Sequence, residues 1–377
     1  MKLNSALTHR VSWNVHHRQR DEMVELFTST FREPLIIENC RTVRQRIRKR
    51  PFLPGKILQL EDSPTDLFST LISDEHIAEL LELLHQRSHS HKLGSRTKGM
   101  VFHQQVHTWE KVPSQQGSTS QSEIMNRTPE SYLQDLAVIH LILSNPEYAE
   151  QLAAILLNLG AGVPVISLGE GTGMRDRLGL LRITVPAAKE IVRLLVPRID
   201  APAIAQQLID KGKLNRPGQG FLYITPVTQG ILDTRLRIGE QDQAASLDQI
   251  VSALDTLYRG TRWRQRYVQS EFDQLKQKKP THATEITCYC ESDQGAGFIE
   301  QAIAKGAPGA TISNVQVIAH DQDTLSQRPQ EKCVITVPNN LVEPVVEGLI
   351  DAQEILDQLV HSIQTLESFW VYSYRKS

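Results

Sequence analysis

The segment GKLNRPGQGFLYITPV, residues 212–227, combines positive charge and glycine in a way that could bind an anion. Gly218 and Gly220 carry no Cβ, so the backbone there can take a positive φ and approach a ligand closely. Consecutive backbone amides in such a turn form an anion-binding nest, and Lys213 and Arg216 add positive charge beside it. A turn that only connects a helix to a strand has the same composition, so both interpretations stay open.

The rest of the chain shows no pattern of catalytic residues. No serine lies in a nucleophile-elbow sequence, and no motif places a pair of carboxylates, so we expect no enzyme and no catalytic residue. The cysteines fit no zinc spacing and are interpreted as reduced, buried thiols: Cys40, Cys288, Cys290 and Cys333.

Composition indicates a globular protein. The chain has 377 residues, of which 40% are hydrophobic, and a net charge of −2. No apolar run approaches the roughly 18 residues of a membrane span, and the first residues contain no signal-peptide hydrophobic region. We therefore predict a cytoplasmic protein without a membrane span.

Charge is unevenly distributed along the chain. Residues 1–113 contain 17 Lys and Arg against 13 Asp and Glu, whereas residues 282–377 contain 5 against 13. A row of arginines alternates on one predicted strand: Arg44, Arg46, Arg48 and Arg50. Because no aromatic residues interleave with them for base stacking, nucleic acid is not expected. An acidic face of the last segment or an anionic partner protein is the favoured contact.

The chain repeats an order of elements. LGAGVPVIS resembles KGAPGATIS, and IVRLLVP resembles CVITVP. Apolar spacing predicts helices in SDEHIAELLELLHQR and DAPAIAQQLIDKG, each placed between strand-like runs. The predicted fold is α+β, with three tandem ferredoxin-like (βαββαβ) domains. The predicted divisions are a first domain at 1–113, a polar linker at 114–133, a middle domain at 134–240, a helical connector at 241–281 and a last domain at 282–377.

The middle segment resembles the P-II (nitrogen regulatory protein) signal-transduction family over residues 136–240. The motifs that carry the resemblance are GEGTG at 169–173, LGLLRITVPAAKEIVRLLVP at 178–197, LNRPGQGFLYITPV at 214–227 and RLRIGE at 235–240. Members of this family are homotrimers that bind adenine nucleotides between subunits, and a long loop contacts target proteins. The resemblance therefore implies a PII-like pseudo-trimer within one chain and a target-binding loop at residues 174–188.

Nucleotide-binding residues follow from the same resemblance. The family's loop base corresponds to Gly169, Gly171, Thr172 and Gly173. Its phosphate loop corresponds to Lys213, Arg216, Gly218, Gln219 and Gly220, and its paired arginines to Arg235 and Arg237. Gly173 replaces the glutamine that helps to bind magnesium and 2-oxoglutarate, so sensing of 2-oxoglutarate is not expected. Phe221 stands where some members have a basic residue.

Together these features predict a non-enzymatic PII-like regulator. It would need no cofactor, would bind ATP, ADP or another adenine nucleotide as effector, and would control a partner such as a transporter or a metabolic enzyme. Because the segments flanking the middle one lack both nucleotide motifs, no cleft within one chain would contain a complete site. Nucleotide binding would then require two chains to pair through their middle segments, or one half of the site to suffice. The alternatives are a PII-like adaptor without effector binding and a metal-binding protein similar to the CutA family. The candidate metal residues are histidines of the first 113 residues: His85, His89 and His91, and later His103 and His107. The first three fall at a helix end and a polar loop without a cysteine nearby, so no metal site is assigned.

Overall fold

The computed structural model describes residues 3–49, 56–89, 99–110, 132–145, 147–173, 187–233, 237–238, 247–264, 282–321, 324–355 and 362–374. The strands are β1 Asn4–His16, β2 Leu35–Lys49, β3 Lys56–Ile72, β4 Val101–Glu110, β5 Leu133–Leu143, β6 Val165–Gly173, β7 Ala188–Pro197, β8 Gly220–Ile231, β9 Arg237–Ile238, β10 Ala283–Glu291, β11 Gly309–Asp321, β12 Thr324–Pro338, β13 Ile363–Ser368 and β14 Trp370–Ser373. The α-helices are α1 Arg20–Thr30, α2 Ile77–His89, α3 Glu147–Asn158, α4 Ala201–Lys211, α5 Leu247–Leu257, α6 Gly295–Ala304 and α7 Val342–Ile355, and short 3-10 helices lie at His17–Gln19, Arg262–Arg264 and Asn339–Leu341.

Helical periodicity explains how α2 packs. Ile77, Leu80, Leu81 and Leu84 follow one another at three- and four-residue steps, and each is buried. They join one apolar cluster with Trp13, Phe27 and Phe68 of neighbouring elements, among others. Burial of this stripe, more than intrinsic propensity, holds the helix in place.

The predicted fold, three tandem ferredoxin-like domains forming a PII-like pseudo-trimer, is wrong. The described strands form a single sheet of 14 strands, in the order β14-β8-β5-β7-β6-β11-β12-β10-β13-β4-β1-β3-β2-β9. The pairings are antiparallel apart from the parallel contact of β2 with β9. Separate four-stranded sheets would leave unpaired backbone groups at their edges. Here those edges pair across the chain, because β6 pairs with β11 and β4 pairs with both β13 and β8.

These added pairings close the sheet on itself, which gives it an outer and an inner face. Three apolar clusters pack the helices on the outer face: α1 with α2, α3 with α4, and α6 with α7. A further apolar cluster on the inner face brings together residues of β3, β4, β5, β6, β7 and β8. The inner face therefore draws side chains from distant parts of the sequence.

Charged side chains also lie on the inner face. We call Arg10, Glu38, His140, Arg193, Glu285 and Lys332 the inner charge cluster. Arg10 Nη2 donates to Glu285 Oε1 at 2.9 Å, and Arg193 Nη1 donates to Glu38 Oε1 at 3.0 Å. Lys332 Nζ donates to the second oxygen of Glu38 at 3.2 Å. The pairs join strands from the first, middle and last thirds of the chain.

The arginine row on β2 contacts this chain's own carboxylates. Arg44 is buried and paired with Asp233, and Arg46 is paired with Glu61. The carboxylate paired with Arg44 belongs to the middle segment, whereas the sequence predicts a contact with the acidic last segment. Arg50 lies outside the described residues.

The predicted linker and connector lie largely outside the described residues. α5 occupies part of the predicted connector, and residues 265–281 lie outside. Arg264 of the connector donates to Asp200 Oδ1 of the middle segment at 2.7 Å and to Asp255 Oδ2 of α5 at 2.7 Å. This arginine therefore links the connector to the middle segment. In the part of the chain that the structure describes, no helix is both long and apolar enough to cross a membrane.

Candidate functional site

The glycine-rich motif at residues 169–173 forms the last part of β6, between β7 and β11. Gly169 pairs with Lys189 of β7, and the backbone N–H of Gly171 donates to the carbonyl of Ala187 at 2.8 Å. On the other edge, Gly173 pairs with Gly309. The motif is thus held as a strand between two neighbours, directly before the segment predicted to contact a target.

Lys189 connects this strand with the turn before β8. Its aliphatic stem lies against Gly171, where an added Cβ would be 2.5 Å from Lys189 Cε. Its ammonium group donates to Ser144 Oγ at 2.9 Å, and the backbone N–H of Ser144 donates to the carbonyl of Gln219 at 3.0 Å. Two motifs separated in the sequence are therefore linked through Lys189 and Ser144. We call Ser144, Gly171, Lys189 and Gln219 the lysine site.

The turn before β8 uses glycine for its backbone geometry. Gly218 has a φ of 76° and Gly220 a φ of 139°. A Cβ at Gly220 would lie 2.0 Å from the carbonyl oxygen of Ile142, so this position admits no side chain. Lys213 also has a positive φ, 54°, and its ammonium lies 5.3 Å from the centre of the Tyr148 ring.

Positive charge is exposed along the same turn. The side chains of Lys213 and Arg216 are exposed, as is Gly218. Exposed cations beside glycine amides can attract an anionic group, and the effect is strongest at low ionic strength. The turn therefore carries two exposed cations, and Lys189 is linked to it through Ser144.

Thr172 lies on the opposite face of the sheet from Gly171, because side chains alternate along a strand. Its hydroxyl is buried and forms no hydrogen bond within the described residues. The neighbour of Lys189, Glu190, also faces away from the lysine site and accepts from Arg41 Nη2 at 2.8 Å. Burial raises the pKa of Glu190. Neither Thr172 nor Glu190 belongs to the lysine site.

Arg237, the described member of the predicted arginine pair, does not lie at this site. Arg237 lies beside Gln45 of β2, while Thr42 of β2 pairs with Val165 at the beginning of β6. Gly173 is at the other end of β6, about 25 Å from Val165 along the strand at the usual rise per residue. Arg235 lies outside the described residues, as do residues 174–186 of the predicted target loop.

Among the histidines His85, His89 and His91 of the metal alternative, the structure describes the side chain of His85. The ring centre of His85 lies 6.5 Å from that of Tyr132. His91 and the side chain of His89 are outside the described part of the chain. Within the described ranges, no group of three or more His, Cys, Asp or Glu residues has metal-binding geometry. Cys288, Cys290 and Cys333 are buried free thiols, and Cys40 is half-buried.

Sequence reasoning missed Lys189 and Ser144. Lys189 and Arg193 share the inner face of the strand AKEIVRLLVP, since they are four residues apart on a period of two, and their neighbours on that face, Ile191 and Leu195, are apolar. Two cations on a buried strand face are a signal that could have been found. Ser144 gives no comparable signal, because its place depends on the pairing of β5 with β8.

Protein-family models, curated proteins and solved structures were compared with the chain, and none matches. The resemblance to the P-II family therefore rests on the motifs in the sequence.

Proposed function

We propose that the protein is a non-enzymatic, cytoplasmic regulator that binds a small phosphate-bearing effector at the lysine site. An adenine nucleotide such as ATP or ADP is the effector class that the P-II resemblance suggests. The effector would bind near the segment 174–188, through which the protein would contact and control a partner protein.

One observation carries this proposal: Lys189 lies against Gly171 of β6 and is linked through Ser144 to Gln219 of the turn before β8. An ammonium group and the N–H groups of a glycine turn can bind phosphate. The turn here offers the exposed Gly218, whereas the Gly171 N–H already donates to Ala187. Lys213 and Arg216 add charge on the exposed side of the turn. A ligand there would contact both motifs. Its binding could therefore change the position of the segment 174–188, through which the protein would contact its partner.

Isothermal titration of the full chain with ATP, ADP and cyclic AMP tests the proposal. We expect saturable heat with at least one nucleotide, and weaker binding as salt concentration rises, because exposed cations are screened. Absence of heat with all three nucleotides would reject the proposal.

A second function is favoured by the position of Arg237. Because that residue lies beyond the end of β6 opposite Gly173, at least about 25 Å from Gly173 along the strand, the described residues do not assemble a complete P-II nucleotide site. This favours an adaptor that contacts a partner protein and binds no effector. The same titration separates the two, since an adaptor gives no heat with any nucleotide.

A further inference from the structure

The inner charge cluster contains more positive than negative charge. Arg10, Arg193 and Lys332 are the cations, and Glu38 and Glu285 are the anions. Burial acts to raise the pKa of both carboxyl groups, but the neighbouring cations outweigh it and lower each pKa to about 2. Both carboxylates are therefore ionised at neutral pH, which leaves one positive charge in excess.

His140 does not change this balance. Burial lowers the pKa of His140 to about 3, so the ring is neutral near pH 7. Its Nε2 lies 3.0 Å from Thr225 Oγ1, and the ring stacks on Tyr223 at 4.5 Å between centres. The Tyr223 hydroxyl donates to Glu285 Oε2 at 2.9 Å. The Glu285 half of the cluster is thus neutral overall and well supplied with hydrogen bonds.

The excess charge lies in the other half of the cluster, on Arg193 and Lys332. Both share one carboxylate, that of Glu38, which accepts from Arg193 through one oxygen and from Lys332 through the other. Within the described residues, Glu38 is the one hydrogen-bond acceptor of the Lys332 ammonium. An ammonium has three N–H groups, so two remain for a different acceptor.

A cavity lies among these groups. It measures about 30 Å³ and is lined by residues that include Arg10, Arg193, Lys332, Tyr223 and Tyr289. A single water needs roughly 10–15 Å³ on this measure, so the space holds at most two or three water-sized species and excludes a nucleotide. Burial raises the pKa of Tyr289, so its hydroxyl stays protonated and can donate.

We propose that this cavity binds one small monovalent anion, of the size and charge of chloride. An uncompensated buried cation is unfavourable, and an anion between Lys332 and Arg193 would neutralise it. The lining supplies N–H and O–H donors, which suit a halide. This site lies inside the sheet and is separate from the lysine site.

Bromide, used as a heavier substitute for chloride, tests the site directly. Crystals of the full chain grown in sodium bromide should show an anomalous peak within hydrogen-bonding distance of Lys332 Nζ. Peaks confined to the protein surface, or water alone in the cavity, would overturn the proposal.

Stability in solution gives a second test that needs no crystal. At fixed ionic strength, replacement of gluconate by chloride should raise the folding equilibrium constant about tenfold for each tenfold rise in chloride above its Kd. Lys332→Met removes the excess charge and should remove this dependence, whereas Lys305→Met, at an exposed ion pair, should keep it. A chloride effect equal in the full chain and in Lys332→Met would contradict the proposal, as would no effect in the full chain.

Discussion

The stem of Lys189 lies directly against the backbone of Gly171, and a Cβ at position 171 would lie 2.5 Å from Lys189 Cε. From there the ammonium reaches Ser144 Oγ at 2.9 Å. The absent side chain of the glycine thus leaves room for the lysine to reach from β6 to Ser144, whose backbone N–H donates to Gln219 of the turn before β8. This contact is the basis of the proposed effector site.

Arg237 should contribute little to effector binding. Its register beside Gln45 places it at the opposite end of β6 from Gly173. We expect Arg237→Ala to leave the Kd for a bound nucleotide within about twofold, because distant groups couple weakly. Isothermal titration measures this. A tenfold or larger loss of nucleotide affinity would show that Arg237 binds the nucleotide as the paired arginines of the family do.

Gly220 should be essential for stability. Its φ of 139° and the carbonyl of Ile142, 2.0 Å from an added Cβ, both oppose a side chain. We expect Gly220→Ala to reduce the free energy of unfolding by about 3 kcal/mol. Gly218→Ala, at a φ of 76°, is the matched control and should cost about 1–2 kcal/mol. Urea denaturation measures both, and equal small losses would argue against the geometry of this turn.

Glu38 should stabilise the inner face by neutralising buried cations. Glu38→Gln leaves Arg193 and Lys332 without their carboxylate, and we expect a loss of about 3–5 kcal/mol in the free energy of unfolding. The control is the exposed pair Arg328–Asp321, separated by 3.6 Å, where Asp321→Asn should change stability by less than about 1 kcal/mol. Similar effects of the two substitutions in chemical denaturation would contradict the buried pairing.

Much of the helix placement could be predicted from the sequence, whereas the joining of strands could not. The apolar spacing in residues 73–87 predicts a helix, and α2 occupies Ile77–His89. The pairing of His107 with Thr365 joins distant segments, and no local pattern specifies which edge meets which. The inner charge cluster was missed for the same reason, since Arg10 and Glu285 are 275 positions apart.

Acidification should lower stability in two steps. Burial lowers the pKa of His103 and His140 from 6.5 to about 3, so the unfolded chain binds more protons than the folded one as the pH falls below 6.5. Glu38 and Glu285, with pKa values lowered from 4.5 to about 2, add a second loss that begins near pH 4.5. Stability measured in urea should therefore fall between about pH 7.5 and about pH 5.

The histidine step has its own control. The double substitution His103→Gln and His140→Gln should flatten the fall in stability between about pH 7.5 and about pH 5, because the two titrating groups are gone. The step below pH 4.5 should remain, since Glu38 and Glu285 are unchanged. A stability that is constant down to pH 5 in the full chain would show that the buried histidines do not titrate as described.

The most direct test of the effector proposal is the nucleotide affinity of Lys189→Met, measured by isothermal titration beside the unchanged chain. Removal of a charged donor to phosphate should weaken binding at least tenfold, or about 1.4 kcal/mol. Lys305→Met, which alters an exposed lysine paired with Glu347 at 3.4 Å, should bind as the unchanged chain does. A Kd for Lys189→Met within twofold of the unchanged chain would contradict the proposed site.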